Sequence, residues 1–464
     1  MTHDPSIEKL HINYELTNNI ATVQSILKRN GFNKHDIEIA TNQILSLLGY
    51  KYLSQQAENN TEDIGYELNE DYYYKNFLIN KGNVIETLTK GIEQITQKSD
   101  NIQASEVFYD LFNLIDFQTF PENDTWLLFI ELVEKSCSET SANIGEVFNF
   151  ITQYPQRTKN NIYKLKPAET LAKFIAGKIT DVENLYDPYA TYGSLLVNIG
   201  NEINVTNYYG QHDELDKYII AKLNLLVNGV NYKNIFIKHN NIAAPNAWSN
   251  MKFDLSVTIP PFGLKGGPVL PDDERFKPFS PKKSSELAYL LDMIYSLDDN
   301  GTIAAIVPNG LLFRGGIERK VIKHLVNNQF ISTIIGLPAN LFDETSIPTT
   351  LIILDKKPKE GIFYLNLMNE EIVDPNTEKP LSLDFNHEYV NIIKNQERIP
   401  YKTHMAPISE ITYNDYNLSI NRYVEQEQLE KTDIEKTIAN IKRIKKEIKI
   451  IDMDLNAKMG DLLK

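Results

Sequence analysis

Apolar residues recur at three- and four-residue steps through the first third of the chain. Examples are Val23, Ile26 and Leu27, and then Ile37, Ile44, Leu45, Leu47 and Leu48. This spacing puts apolar side chains on one face of a helix, and the region lacks the alternating runs of a strand. We therefore predict an all-helical N-terminal domain over residues 1–150, followed by a polar linker over residues 152–161.

From Leu165 onward, short apolar runs alternate with helical patterns. The predicted strands end at Tyr186, Tyr209 and Lys238 and then span residues 253–258, 302–307, 332–335 and 350–354. This alternation is typical of an α/β fold with a doubly wound parallel sheet, which we assign to residues 160–424. Ligands bind such sheets at the carboxyl ends of the strands, so we expect a site near Asp187, His212, Asn240 and Ile259.

The last forty residues carry a separate helical pattern. Apolar residues recur there at three- and four-residue steps: Ile434, Ile438, Ile441, Ile444, Ile448, Ile451, Leu455, Met459 and Leu462. The pattern predicts a coiled-coil-like helix over residues 425–464. Two interpretations stay open, because such a helix can fold back on its own domain or associate with a partner.

Composition adds an uneven distribution of charge. The 464 residues are 42% hydrophobic and 23% charged, which is ordinary for a globular chain of two or three units. Residues 1–150 carry 10 Lys and Arg against 23 Asp and Glu, a net charge of −13, whereas the remaining residues carry −2 of the total of −15. The sequence contains no cluster of basic residues that would demonstrate nucleic-acid binding. Composition therefore neither establishes nor excludes DNA as a partner.

Neither a membrane nor a metal is expected as a partner. No run approaches the roughly 18 apolar residues of a membrane span, and the N-terminus lacks the basic and apolar regions of a signal peptide. We therefore expect a cytoplasmic protein. The single cysteine, Cys137, can form neither an internal disulfide nor a Cys-based metal site, and we expect a buried structural thiol.

The candidate chemistry lies directly after the predicted strand 253–258. The tetrapeptide Ile259-Pro260-Pro261-Phe262 resembles the Asn-Pro-Pro-Phe signature of adenine-specific DNA methyltransferases, with Ile259 in the position of the catalytic Asn. In that signature the Asn oxygen and the first Pro carbonyl accept hydrogen bonds from the target amino group, while the Phe stacks on a flipped-out base. The side chain of Ile259 can accept nothing.

The chain from about Asn161 to Val424 resembles the modification (M) subunit of type I restriction-modification systems. The matching segments, in family order, are residues 185–196, 209–211, 229–232, 312–315, 336–342, 345–349 and 414–418. The resemblance implies a class I S-adenosylmethionine-dependent methyltransferase core with a Rossmann-like sheet. It also implies S-adenosylmethionine as cofactor, DNA as substrate, and a specificity-type subunit, or self-association, as the partner of the C-terminal helix.

The departures from the family pattern fall on the positions that the resemblance assigns to the cofactor. The usual loop Asp-Pro-Thr-Cys-Gly-Ser-Gly is Asp187-Pro188-Tyr189-Ala190-Thr191-Tyr192-Gly193 here, so that Thr191 and Tyr192 add side chains where backbone normally approaches the ligand. His212 stands where the family has the Glu that holds the ribose hydroxyls, although Asp213 and Glu214 follow it.

Two further cofactor segments are altered. Asn240-Asn241 replaces an acidic residue that reads the adenine amino group, and of the family's Phe-Tyr-Thr-Pro only Pro167 is kept. Three hypotheses follow. The first is a noncatalytic homologue that acts as a scaffold or DNA-associated partner; the second is a working adenine methyltransferase that retains Asp187, Asp213 and Pro260; the third is a methyltransferase fold acting on a non-DNA substrate.

Overall fold

The computed structural model describes residues 5–59, 61–79, 81–97, 101–138, 142–153, 167–245, 247–263, 273–277, 279, 285–338, 347–368, 387–425, 443 and 445. The predicted linker beyond residue 153 and nearly all of the predicted C-terminal helix lie outside these residues. Within the described part, no helix combines the length and the apolar character needed to cross a membrane.

The N-terminal region is helical, as the apolar spacing predicts. Its helices are α1 (Pro5–Arg29), α2 (Lys34–Glu58), α3 (Val84–Gln97), α4 (Ile102–Phe108), α5 (Asn123–Ser138) and α6 (Ile144–Gln153). The described residues up to 153 contain no strand. Asn33 caps α2 through a reciprocal capping box with Asp36. The domain boundaries themselves remain predictions.

A nine-stranded sheet forms the second half of the protein. Its strands are β1 (Asp181–Asp187), β2 (Asn204–His212), β3 (Ile235–His239), β4 (Phe253–Thr258), β5 (Leu297–Pro308), β6 (Ile331–Gly336), β7 (Thr349–Asp355), β8 (Gly361–Asn366) and β9 (Thr403–Pro407). They are arranged in the order β3-β2-β1-β4-β5-β7-β6-β8-β9.

The prediction of a wholly parallel sheet is wrong in its second half. Strands β1 to β5 are mutually parallel, but β7 runs antiparallel to both β5 and β6, and β9 runs antiparallel to β8. Strand β7 follows β6 in the sequence and pairs beside it in the opposite direction, in the place between β5 and β6. Antiparallel neighbours need no crossover connection. The sequence patterns also missed β8 and β9.

Helices cover both faces of this sheet. They are α7 (Pro167–Ala176), α8 (Ser194–Glu202), α9 (Leu215–Val227), α10 (Ser285–Tyr295), α11 (Ile317–Asn327), α12 (His387–Asn395) and α13 (Ile408–Tyr413). Successive strand residues enter two separate hydrophobic cores in alternation: in β5, Ala304 and Ile306 pack with the α8 and α9 side, and Ile303, Ala305 and Val307 pack with the α10 side. The expected class I methyltransferase architecture, with its helical N-terminal domain, is thereby confirmed.

Helix α9 joins the two regions. Every residue from Tyr218 to Val227 is buried, because α9 packs on the sheet and also against the N-terminal helices. At Gly49 of α2, an added Cβ would lie 2.4 Å from a terminal methyl group of Leu223, so a larger residue there would displace that side chain. Lys222 is only 1% exposed, and its ammonium group donates to the Asp110 carboxylate and to the Tyr218 hydroxyl at 2.9 Å.

Removal of the Asp110 carboxylate should destabilise the protein strongly. In Asp110→Ala the buried ammonium group of Lys222 loses its counter-charge. We expect a loss toward the low end of about 3–5 kcal/mol, because Asp110 itself is 21% exposed. Chemical denaturation would measure this loss. Asp63→Ala, which removes the exposed Lys233–Asp63 pair at the same interface, is the control and should change little; equal effects of the two variants would contradict the argument.

Candidate active site

The carboxyl ends of β1, β2 and β4 meet at one edge of the sheet. Asp187 ends β1 and pairs with Gly210, His212 ends β2 and pairs with His239, and Ile259 follows β4. We call this region the mouth; it comprises Asp187, Tyr189, His212, Thr258, Ile259 and Tyr289. The structure therefore brings the predicted strand-end residues together at one position.

Asp187 is a buried carboxyl group at the base of the mouth. Its residue is only 3% exposed, and its Oδ1 accepts a hydrogen bond of 2.9 Å from the backbone N–H of Tyr189. Burial raises the pKa of Asp187 to about 7, against the lowering effect of the hydrogen bond from the Tyr189 backbone. This carboxyl group consequently changes charge near neutral pH.

The loop after β1 makes a tight left-handed turn. Tyr192 adopts φ 47° and ψ 5°, in the left-handed region that disfavours side chains, and its carbonyl accepts a 2.7 Å hydrogen bond from Asn224. Gly193 has φ 67°, and a Cβ there would come within 3.0 Å of the Ala221 carbonyl oxygen. The ring of Tyr192 packs against the hydrophobic core, and Thr191 begins the turn.

His212 is held in one tautomer at the end of β2. Its Nδ1 accepts a 3.0 Å hydrogen bond from the backbone N–H of Glu214, which leaves the ring proton on Nε2. That buried Nε2 finds no hydrogen-bond partner among the described residues. Burial and the nearby Lys217 lower the pKa of His212, so the ring is neutral and presents a single N–H donor.

Two tyrosines that the sequence motifs did not single out complete the mouth. The ring of Tyr189 lies 4.7 Å from the ring of His212 and 5.4 Å from the ring of Tyr289, centroid to centroid. Tyr289 projects from α10 and is buried. A signal for Tyr189 was present, because it stands where the usual family loop has Thr. Tyr289 carried no motif, and only the fold brings it here.

The side chains of Asn240 and Asn241, which the resemblance assigns to the cofactor, form hydrogen bonds to residues at the end of β2 and directly after it. Asn241 Nδ2 donates to Asp213 Oδ2 at 2.7 Å, and Asn241 Oδ1 accepts from the backbone N–H of Ala243 at 2.8 Å. Asn240 Nδ2 donates to Gln211 Oε1 at 3.0 Å. Asp213 and both Asn side chains thus fix the loops after β2 and β3. Pro167 is the first residue of α7, where its missing N–H is tolerated.

The Ile259-Pro260-Pro261-Phe262 segment closes onto α10. Ile259 is half-buried and packs against the hydrophobic core, and Pro260 is buried. The backbone N–H of Gly263, which follows Phe262, donates to Glu286 Oε1 at 2.9 Å. Ile259 supplies no polar atom beyond its backbone.

Three groups of metal-ligating type lie at the end of β2 and directly after it. Ligand atoms of His212, Asp213 and Glu214 lie within 4.8 Å of one another. However, Nδ1 of His212 already accepts a hydrogen bond, and Asp213 and Glu214 bond to Asn241 and Lys217. Because all three groups already form these hydrogen bonds, we assign no metal to them.

Comparison with known proteins identifies the family. The sequence model described as N-6 DNA Methylase matches residues 142–432. This match covers well over half of the chain, and the chain belongs to the N-6 DNA methylase family.

Individual relatives support the same assignment. The chain is 26% identical over 422 residues to the type I restriction enzyme MpnII methylase subunit of Mycoplasma pneumoniae, covering 84% of this chain and 71% of the relative. It is 28% identical over 415 residues to the MjaVII methylase subunit of Methanocaldococcus jannaschii, covering 81% and 70%. The resemblance drawn from the sequence motifs is confirmed.

A solved structure shows a similar fold. The crystal structure of the type I restriction-modification methyltransferase subunit from Streptococcus thermophilus aligns with a TM-score of 0.73 and 24% identity, covering 89% of this chain and 100% of that one. The likeness extends over nearly the whole described architecture.

The titration of Asp187 predicts a specific pH dependence of stability. The unfolded state releases this proton near pH 4 and the folded state near pH 7, so the folded state binds more protons between these values. Wild-type stability relative to Asp187→Asn should therefore fall as pH rises through this window, by up to roughly 4 kcal/mol, and then level off. Urea denaturation of both proteins at several pH values measures this, and a constant difference would contradict the buried-acid assignment.

Proposed function

We propose that this member of the N-6 DNA methylase family is a non-methylating homologue of the type I modification subunit, and that it acts as a scaffold or DNA-associated partner. The observation that carries the proposal is Ile259. Its side chain occupies the catalytic position of the motif, packs against the core, and contains no hydrogen-bond acceptor.

Loss of this acceptor removes a large part of the expected catalysis. Methylation of an exocyclic amino group requires the nitrogen lone pair to be freed for attack, and acceptors on the amino protons promote this. Only the backbone carbonyl of Pro260 could still serve. Loss of one positioned hydrogen bond to a transition state typically lowers the rate by roughly 100- to 1000-fold.

The residues at the mouth also fit S-adenosylmethionine poorly. A carboxylate at the end of the second strand of such a fold accepts hydrogen bonds from the ribose hydroxyls. Here His212 offers a buried N–H donor instead, and the Tyr189 ring lies against it. These groups oppose cofactor binding, and no chemical step is assigned to the cofactor in this chain.

The alternative is an active adenine methyltransferase with a divergent pocket. It is favoured by the retention of Asp187 at the end of β1, where its pKa of about 7 would let it respond to a bound cation. The alternative requires both a bound cofactor and methyl transfer to DNA. An assay of methyl transfer from labelled S-adenosylmethionine to duplex DNA tests both.

The partner side of the proposal rests on the C-terminal pattern. The relatives are named as subunits of type I restriction enzymes, so they act within assemblies. In this chain the isoleucine repeat over residues 425–464 would bind a specificity-type subunit or a second copy. DNA association would follow from that assembly, because the chain's own net charge is −15.

Restoring the catalytic Asn should not restore methylation. Ile259→Asn returns the missing acceptor, but the mouth still opposes the cofactor, so we expect no transfer of labelled methyl groups from S-adenosylmethionine to duplex DNA. Ile259→Val, which keeps the apolar contact with the core, is the matched control. Clear incorporation by wild type or by Ile259→Asn would show that the cofactor site works, and the proposal would fail.

Deleting residues 427–464 should abolish association while leaving the rest folded. Each isoleucine side chain gains about 1.5–3 kcal/mol when covered, and an uncovered row of them would favour aggregation. Ile441→Asp with Ile448→Asp should have the same effect. Lys442→Asp with Lys449→Asp is the matched control, because it introduces the same two Asp residues at neighbouring positions that are already charged.

Light scattering for self-association, and co-purification with a specificity-type subunit, measure this second prediction. Retained assembly in both the deletion and the double Ile variant would mean that the helix packs on its own chain. The partner part of the proposal would then be wrong, although the proposal on catalysis would stand.

A further inference from the structure

We infer that Tyr189 and His212 are the residues that close the mouth to S-adenosylmethionine, and that Thr191 and Tyr192 are not. The inference rests on the proposed function, in which the chain does not use this cofactor. Replacement of Tyr189 and His212 should therefore reopen the site.

Tyr189 is fixed across the opening between β1 and β2. Its backbone N–H is bonded to Asp187 on β1, its ring lies 4.7 Å from the ring of His212 on β2, and it meets Tyr289 of α10 edge-to-face at 5.4 Å. Contacts with β1, β2 and α10 therefore fix the position of Tyr189. Such aromatic contacts stabilise a fixed ring position beyond simple burial.

The Tyr189 side chain faces the end of β2, because its ring lies beside the ring of His212. Burial, and then the carboxylates of Glu214, Asp213 and Asp187, raise the pKa of Tyr189 to about 12. Two of these carboxylates directly follow β2, at the position where ribose hydroxyls bind in folds of this kind. The phenol side chain thus extends toward the ribose position and stays neutral there.

His212 reverses the hydrogen-bonding character of the same position. A carboxylate offers two acceptor oxygens to a pair of ribose hydroxyls, whereas His212 has given its acceptor, Nδ1, to Glu214. Its remaining nitrogen is a buried donor without a partner among the described residues. The Asp213 carboxylate is directed toward the loop after β3, where its Oδ2 accepts from Asn241.

Thr191 and Tyr192 act on another part of the structure. The ring of Tyr192 packs against the hydrophobic core, and its carbonyl is held by Asn224 of α9. Gly193 keeps the close approach to Ala221 that the loop requires. The loop after β1 therefore retains its course, and a glycine at position 191 or a serine at position 192 would not clear the Tyr189 ring.

Calorimetric titration of S-adenosylmethionine into the full chain tests this inference. We expect no detectable binding by wild type, measurable binding by Tyr189→Thr, and a further gain of roughly 10- to 100-fold in Tyr189→Thr with His212→Glu, the range for a regained charge-assisted hydrogen bond. Tyr189→Phe keeps the ring, and Thr191→Gly with Tyr192→Ser changes only the loop. Both controls should behave as wild type does.

Thermal melting of each variant establishes that it is folded. If the buried Glu of the double variant prevents folding, Tyr189→Thr and Tyr189→Ala decide the question. Folded Tyr189 variants that bind no better than wild type and Tyr189→Phe would overturn the inference, and so would a gain confined to Thr191→Gly with Tyr192→Ser. Low-micromolar binding by wild type would instead overturn the proposed function, so the two failures are distinguishable.

Discussion

The burial of α9 is the constraint on which both halves of the structure depend. This helix lies between the sheet and the N-terminal helices, and it carries Lys222 into the contact with Asp110. Removal of the partner of a buried ammonium group is costly, so the pair favours the observed docking of the N-terminal region. Because α9 begins directly after His212, Asp213 and Glu214, the same docking also sets the position of one side of the mouth.

The loop after β1 depends on α9 as well. Asn224 holds the Tyr192 carbonyl, and a Cβ at Gly193, whose φ is 67°, would lie only 3.0 Å from the Ala221 carbonyl oxygen. The glycine that looks like a cofactor-binding residue is therefore favoured by its backbone conformation and by packing against α9. The fold can keep this loop in shape whether or not a ligand is ever bound, and a retained glycine is weak evidence of a retained activity.

The helical N-terminal region and the first strands could be predicted from apolar periodicity, because burial on one face or both imposes a repeat on the sequence. The direction of β7 could not, since the same buried run, 350–354, serves a parallel or an antiparallel strand equally well. Strand-end position also predicted that Asp187, His212 and Ile259 would meet. The partners of Tyr189 and of Asn241 depend on how separate loops pack, which no local pattern encodes.

Stability and catalysis make opposite demands at the altered positions. A catalytic Asn at position 259 would hold a polar group against the hydrophobic core, where an amide without a bound partner is unfavourable, whereas Ile259 gains from the same contact. A small residue at position 189 would leave the rings of His212 and Tyr289 without their shared neighbour. Active sites usually sacrifice stability to keep such polar and open arrangements. In this chain, both positions carry the residue that favours packing, which is consistent with the proposed non-methylating function.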